Sequence, residues 1–310
     1  MVDKMFAARE WPNRLVVALK IAGSLGVPVG ATALLYLLQD RLVFNPARTP
    51  PTTGSLASSH RKRAVTLRMR DGTHLRGWWH SPESNSPGPA PGVIYFGGRS
   101  EEVSWVIGVS SYLAGAHLLA VNYRGYGASE GRPSEAALLS DALDLYDWLA
   151  SQPGVDPSRM AVIGRSLGTG PAAYLVARRP VAASVLITPY DSILEIARQR
   201  FRLAPIRLLL RHRFESVRFA RAARTPVLVL MAERDSVVPH EHTYRLIDAW
   251  AGDKYVVRVL GSDHSDIQLN AQSWRAVRAF LCSRVGTGYR EAQRKAERRC
   301  SPASSVDCAS

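Results

Sequence analysis

Short apolar runs alternate with helix-like stretches through most of the 310-residue chain. The runs are rich in Val, Ile and Leu and end in glycine or polar residues, as expected of strands that are buried on both faces. They lie at residues 92–98, 117–127, 159–164, 182–190, 225–235 and 254–260. Apolar residues recur at helical spacing within residues 101–114, 134–151, 167–178 and 240–250. Strands that alternate with helices predict an α/β fold with a mainly parallel sheet and helices on both of its faces.

Residues 63–80 carry a different pattern. Two strand-like segments meet there at Asp71-Gly72, a dipeptide that favours a tight hairpin turn. The region therefore predicts an antiparallel hairpin ahead of the parallel strands.

The N-terminal segment, residues 1–41, contains a long uncharged stretch. Residues 21–38 carry no charged side chain, and a helix of that length spans roughly 27 Å, close to the thickness of the bilayer core. With the apolar residues just before Lys20, they predict a transmembrane helix over about residues 15–38. Two alternatives stay open: a signal peptide cleaved near Ala31-Thr32-Ala33, and a buried helix of a soluble protein.

The positive charge of the chain suggests a class of binding partner and an orientation in the membrane. The formal net charge of +14 indicates an anionic neighbour such as phospholipid headgroups, nucleic acid or an acidic substrate. Lys and Arg are more frequent before the predicted anchor than after it, so we expect a single-pass membrane protein with a cytoplasmic N-terminus and its main domain outside the cytoplasm. These residues are Lys4, Arg9, Arg14 and Lys20 upstream, and Arg41 and Arg48 downstream.

The main domain, residues 42–284, contains an arginine-rich insert at about 191–224. From Arg198 to Arg224, only Glu215 opposes nine arginines, which lie at 198, 200, 202, 207, 211, 213, 218, 221 and 224. Leucines interleave with these charges, which favours a basic amphipathic surface on anionic lipid as much as a solvated helix face. No nucleic-acid recognition motif accompanies the charge, so no nucleic-acid partner is expected. Residues 285–310 are polar and predict a flexible tail.

The candidate chemistry centres on Gly164-Arg165-Ser166-Leu167-Gly168, between an apolar run and a helical stretch. Glycines at this spacing permit a sharp strand-to-helix turn that exposes the serine hydroxyl. Ser166 is therefore the predicted nucleophile. Arg165 is expected to form a structural ion pair rather than to contact substrate.

A serine nucleophile needs a base and an acid that orients the base. His264 follows the last apolar run of the domain, and Asp235 follows the run before it. The chain order Ser166, Asp235, His264 matches the order of catalytic residues on this architecture. Asp191, after a different strand, is the alternative acid, and His242 is expected at the surface.

Residues 42–284 resemble the α/β-hydrolase superfamily. The resemblance rests on Ser166, Asp235 and His264 and on two further segments, "VNYRGYGASEG" and "RDSVVP". The predicted anchor, "RLVFNP" and "GRSLG" are similar to a membrane-tethered branch related to acyl-protein thioesterases and prolyl-oligopeptidase-like hydrolases. The resemblance implies that backbone N–H groups of Arg99 and Leu167 form the oxyanion hole. It also implies that the insert forms a lid over the active site, and it calls for no metal and no organic cofactor.

The chain is therefore expected to be a serine hydrolase that cleaves acyl ester or thioester bonds through a Ser-His-Asp triad and an acyl-enzyme intermediate. Two alternatives stay open. One is a serine peptidase of the prolyl-oligopeptidase type, and the other is a catalytically silent protein that binds a membrane surface through its basic face.

The first prediction concerns the anchor. We expect the mature protein to keep residues 1–33, because the apolar stretch continues past the small-residue site at Ala31-Thr32-Ala33. Intact-mass spectrometry of the detergent-solubilised full chain measures this directly. A mature protein that begins after Ala33 would identify a cleaved signal peptide instead.

Overall fold

The structure, a computed structural model, describes residues 30, 33–47, 61–82 and 88–286. Most of the predicted anchor lies outside the described residues, as do residues 48–60 and the predicted tail from 287 onward. Among the residues that are described, none of the helices combines the length and the apolar character needed to cross a bilayer.

Eight strands form a single sheet in the order β1-β2-β4-β3-β5-β6-β7-β8. They are β1 (Lys62–Arg68), β2 (His74–His80), β3 (Ala90–Phe96), β4 (His117–Val121), β5 (Val155–Arg165), β6 (Ala183–Ile187), β7 (Val227–Ala232) and β8 (Lys254–Val259). β1 and β2 form the antiparallel hairpin, and β2 also runs antiparallel to β4. All pairs from β4 to β8 are parallel, which confirms the predicted hairpin and the mainly parallel sheet.

Helices cover both faces of the sheet. They are α1 (33–43), α2 (Glu135–Ala150), α3 (Thr169–Val176), α4 (Ile193–Arg200), α5 (Ile206–Leu209), α6 (Ser216–Ala220), α7 (His240–Ala249) and α8 (Ala271–Arg284). Trp78 and Trp79 belong to separate buried clusters on opposite faces, because successive side chains of a strand alternate. Burial of these two apolar layers drives the folding of the domain.

The helix predicted within residues 101–114 is a 3₁₀ helix, Val103–Tyr112. Its sequence, "VSWVIGVSSY", combines β-branched residues with Gly108, and both lower the propensity for a regular α-helix. Glu102 caps this helix by accepting the Ser104 backbone N–H at 3.0 Å.

Helix α1 packs onto the main domain through its C-terminal end. The Gln39 side chain donates to the Leu209 carbonyl at 3.3 Å and accepts the Arg211 backbone N–H at 2.8 Å. Phe44, directly after the helix, is fully buried and makes edge contacts with the rings of His212 and Phe214, at centroid distances of 4.9 and 6.1 Å. These contacts hold the end of α1 against the insert.

The second prediction tests this attachment. Phe44→Ala removes a fully buried ring, so we expect it to lower the free energy of unfolding by about 3–5 kcal/mol. Leu260→Ala is the matched control: its side chain is exposed, so the change should stay within about 0.5 kcal/mol. Urea denaturation in detergent measures both variants. A Phe44→Ala variant as stable as the control would contradict the packing.

Candidate active site

Ser166 lies on a sharp turn between β5 and α3. β5 ends at Arg165, a short 3₁₀ turn covers Ser166–Gly168, and Ser166 itself has φ of +48°. A positive φ is uncommon for a residue with a Cβ and is found at positions that the surrounding structure holds firmly. The turn therefore presents the Ser166 hydroxyl above the carboxyl ends of the strands, as the sequence predicts.

Close backbone approach explains the glycines of this turn. A Cβ on Gly168 would lie 2.1 Å from the Phe96 carbonyl oxygen, and a Cβ on Gly164 would lie 2.5 Å from the Gly168 carbonyl oxygen. Real Cβ atoms do not approach backbone oxygens so closely, so only glycine fits either position without displacing the chain.

The structure brings the three predicted residues together. Ser166 Oγ lies 2.8 Å from His264 Nε2, and His264 Nδ1 lies 3.0 Å from both carboxylate oxygens of Asp235. His264 sits in the loop after β8 and Asp235 in the loop after β7. The three side chains form a continuous hydrogen-bonded chain, the arrangement in which a histidine can take a proton from a serine.

Two loops hold the acid and the base in place. The Asp235 carboxylate accepts the backbone N–H groups of Val237 and Val238 at 3.0 and 2.8 Å. Asp263 accepts the Ser236 hydroxyl and the His264 backbone N–H, at 2.9 and 2.5 Å. These contacts join the acid loop to the histidine loop and fix the direction of the imidazole ring.

The alternative acid, Asp191, lies elsewhere. Its Oδ1 is 2.8 Å from His242 Nδ1, and His242 Nε2 is 3.0 Å from the Gln199 side-chain oxygen. The expectation that His242 lies at the surface is wrong, since only 1% of the residue is exposed. His242 lies in the first turn of α7, and this turn faces Gln199 of the insert. The sequence carries no signal for that contact.

The loop after β3 contains Arg99, the first predicted oxyanion donor. On either side of Arg99 the backbone N–H groups have protein acceptors: Gly98 donates to Glu101 Oε2 at 2.6 Å, and Ser100 donates to the Phe44 carbonyl at 3.2 Å. Arg99 and Leu167 line the same cavity as Ser166. Both predicted donors therefore lie beside the serine, and their role stays a prediction.

Glu101 is a residue of this site that sequence reasoning missed. Its carboxylate accepts from Tyr95 at 2.7 Å, from Trp105 at 3.0 Å and from the Arg165 guanidinium at 2.7 Å. Burial and the nearby Glu101 charge raise the pKa of Tyr95 well above its usual value, so the phenol remains a donor. The sequence carried one signal for an acidic residue at this place. Arg165, a cation inside the serine turn, was expected to form an ion pair but had no assigned partner.

The Glu101–Arg165 ion pair confirms the structural role expected for Arg165. Both side chains are almost fully buried. The other terminal nitrogen of Arg165 donates to the His264 carbonyl at 3.3 Å. The pair therefore connects three loops: the one that carries Arg99, the turn that carries Ser166, and the one that carries His264.

An apolar cavity of about 210 Å³ opens onto Ser166. Its walls come from α1, from α4 and α5 of the insert, and from the acid loop; they include Leu35, Leu42, Ile196, Leu209, Leu210 and Val238. The first part of the insert thus lies over the serine, as the resemblance implies. In contrast, α6 packs beside α3, and its Ala220 is fully buried.

Comparison with known proteins identifies the superfamily. No protein-family model matches the chain. Two Mycobacterium tuberculosis proteins, each described as uncharacterized, are 34% identical to it over 258 residues, which is 82% of this chain and 91% of theirs. An Arabidopsis thaliana α/β-hydrolase domain-containing protein is 26% identical over 240 residues, or 70% of this chain and 77% of the relative. A lysophosphatidylserine lipase of Danio rerio is 35% identical over 162 residues, or 45% of this chain and 41% of the lipase.

Solved structures share the fold. An esterase of Pyrococcus furiosus superposes with a TM-score of 0.61 at 20% identity, over 78% of this chain and 99% of the esterase. An acetyl xylan esterase of Paenibacillus gives a TM-score of 0.60 at 19% identity, over 73% and 86% of the two chains. The chain belongs to the α/β-hydrolase superfamily, and its relatives support hydrolase activity.

The third prediction concerns the buried ion pair. Glu101→Gln or Arg165→Met alone leaves one buried charge without its partner, so each should lower the free energy of unfolding by about 3–5 kcal/mol. The double variant should lose much less free energy of unfolding than the two single variants lose together, because neither buried charge remains. Urea denaturation of the four proteins gives the coupling. If the losses of the two single variants add up to the loss of the double variant, Glu101 and Arg165 do not stabilise the fold as a pair.

Proposed function

We propose that the protein is a serine hydrolase that cleaves acyl ester or thioester bonds. The observation that carries this proposal is the hydrogen-bonded chain from Ser166 through His264 to Asp235 at the floor of an apolar cavity. A nucleophile–base–acid chain suits acyl transfer, and apolar walls suit an acyl group.

In the proposed reaction, His264 Nε2 takes the proton of Ser166 Oγ as that oxygen attacks the acyl carbonyl carbon. Asp235 holds His264 in the tautomer that leaves Nε2 free to accept, and it stabilises the imidazolium that forms. The backbone N–H groups of Arg99 and Leu167 donate to the oxyanion. His264 then protonates the leaving alcohol or thiol, and water releases the acyl group by the same steps.

Relatives support an ester rather than an amide substrate. One is named a lysophosphatidylserine lipase, and several structural neighbours are named esterases. The apolar cavity agrees with that class, since each methylene it buries contributes about 0.8 kcal/mol to binding.

The proposal extends to the membrane. We place the chain on a bilayer through a single anchor over about residues 15–38, with the N-terminus in the cytoplasm and the hydrolase domain outside. Exposed leucines support such a surface: Leu34 and Leu37 on α1 are 56% and 73% exposed, and Leu203 and Leu208 on the insert are 103% and 86% exposed. Arginines flank both insert leucines and would meet anionic headgroups.

The fourth prediction tests the reaction. Detergent-solubilised protein should hydrolyse p-nitrophenyl octanoate with a higher kcat/KM than p-nitrophenyl acetate, because the longer chain buries more methylenes in the cavity. Ser166→Ala should lower kcat by about 10³-fold or more, since the nucleophile is lost. Ser151→Ala removes the hydroxyl of a serine at the end of α2 and is the matched control, which should keep full activity.

Activity that survives in Ser166→Ala would contradict the proposed nucleophile. Cleavage of peptide p-nitroanilides without ester hydrolysis would favour the peptidase alternative. If neither substrate class is cleaved while the protein still binds anionic vesicles, the catalytically silent surface protein becomes the better account.

A further inference from the structure

Helix α1 forms one wall of the apolar cavity above Ser166. The residues that it contributes to the lining are Leu35, Tyr36, Gln39, Leu42 and Val43. Leu35, Gln39 and Leu42 follow one another at intervals that place them on the same face of a helix. Leu35 and Leu42 are two turns apart, which separates them by about 10 Å along the helix axis. The cavity therefore has a helical wall two turns long.

The C-terminal end of α1 lies near the serine. The Arg99 side chain, which lines the cavity beside the serine, donates to the Arg41 carbonyl at 3.2 Å. The next residue, Ser100, donates its backbone N–H to the Phe44 carbonyl at 3.2 Å. Since α1 runs from these contacts back toward its N-terminus, Leu35 belongs to the end of the wall away from Arg99.

A buried amide fixes the position of this wall. Gln39 is only 5% exposed, and its side chain uses both of its polar atoms on the insert. It donates to the Leu209 carbonyl at 3.3 Å and accepts the Arg211 backbone N–H at 2.8 Å. Asp40 adds an ion pair with the Arg211 guanidinium at 2.8 Å. A buried amide without such partners would cost free energy, so these bonds hold α1 at a set separation from the insert.

We infer that the acyl chain of the substrate lies along α1, between this helix and the insert, and that Leu35 limits the length of chain that fits. The inference rests on the proposed function, because it needs an ester at Ser166. An acyl chain is bound best where apolar walls enclose it along its length. A wall residue close to the serine contacts every acyl chain, whereas one two turns away contacts only a long chain. The size of the side chain at position 35 therefore sets the preference.

Two substitutions of Leu35 should move this preference in opposite directions. kcat/KM is measured in an uncharged detergent for the p-nitrophenyl esters of acetic, octanoic and dodecanoic acid. Leu35→Trp should lower the values for the two longer esters by at least about tenfold and leave acetate within about twofold, because only long chains lose their place. Leu35→Ala should raise the ratio of dodecanoate to octanoate by about threefold or more, because it lengthens the space.

Leu38→Trp is the matched control. It makes the same change on the same helix, at a side chain that is 39% exposed and does not line the cavity. It should keep all three values within about twofold, as expected for a surface substitution. A chain-length preference that both Leu35 variants leave unchanged would overturn the inference. So would an equal fall for all three esters in both Leu35 variants, or an equal loss in the two Trp variants.

Photocrosslinking separates the acyl site from the reaction. The methyl ester of decanoic acid, with a diazirine near its chain end, is irradiated with the Ser166→Ala protein, and mass spectrometry identifies the labelled peptide. We expect label on α1 that is lost when Leu35→Trp is added and kept when Leu38→Trp is added.

Such labelling without ester hydrolysis by the wild-type protein would support the acyl site, and the proposed reaction alone would fail. Hydrolysis by the wild-type protein with label only outside α1 would overturn the inference and leave the proposed reaction in place. Label on α1 that Leu35→Trp does not reduce would overturn it as well. If the protein shows neither hydrolysis nor label, both proposals fail.

Discussion

The Glu101–Arg165 ion pair is the interaction on which the geometry of this site depends. Two charges withdrawn from water are stable only when each has its partner and its remaining hydrogen bonds. Glu101 meets this requirement with Tyr95, Trp105 and the Gly98 backbone N–H as well as Arg165. Gly98 lies directly before Arg99, and Arg165 directly before Ser166. The pair thus ties the position of the serine to the position of the predicted oxyanion donors.

The apolar cavity depends on a segment that precedes the main sheet. Helix α1 supplies part of its wall, and the Phe44 carbonyl accepts both the Ser100 backbone N–H and the Tyr126 hydroxyl. The Arg99 side chain in turn donates to the Arg41 carbonyl at 3.2 Å. The end of the N-terminal segment is therefore built into the site. Under the proposed membrane arrangement, the same segment would place the mouth of the cavity close to the bilayer.

The insert separates the apolar cavity from a second, arginine-lined cavity. On one side Phe201 and Ile206 face the apolar cavity, and on the other they border a cavity rich in arginine. The short helices α4 and α5 achieve this by turning back on each other within a few residues. A single long helix would have spread the arginines along its length.

Much of this arrangement could be predicted from the sequence because it depends on local patterns. The apolar runs predict the strands, and Gly164 and Gly168 around Ser166 predict the turn. The chain order of Ser166, Asp235 and His264 predicts which side chains meet. Glu101, the buried His242–Asp191 pair and the part played by α1 could not be predicted in this way. Their partners are distant along the chain. Which polar residues become buried, and which of them pair with each other, is decided only when distant segments pack together. Local patterning determined the sheet and the candidate triad, whereas the loops that hold the triad and the two cavities were decided by tertiary contact.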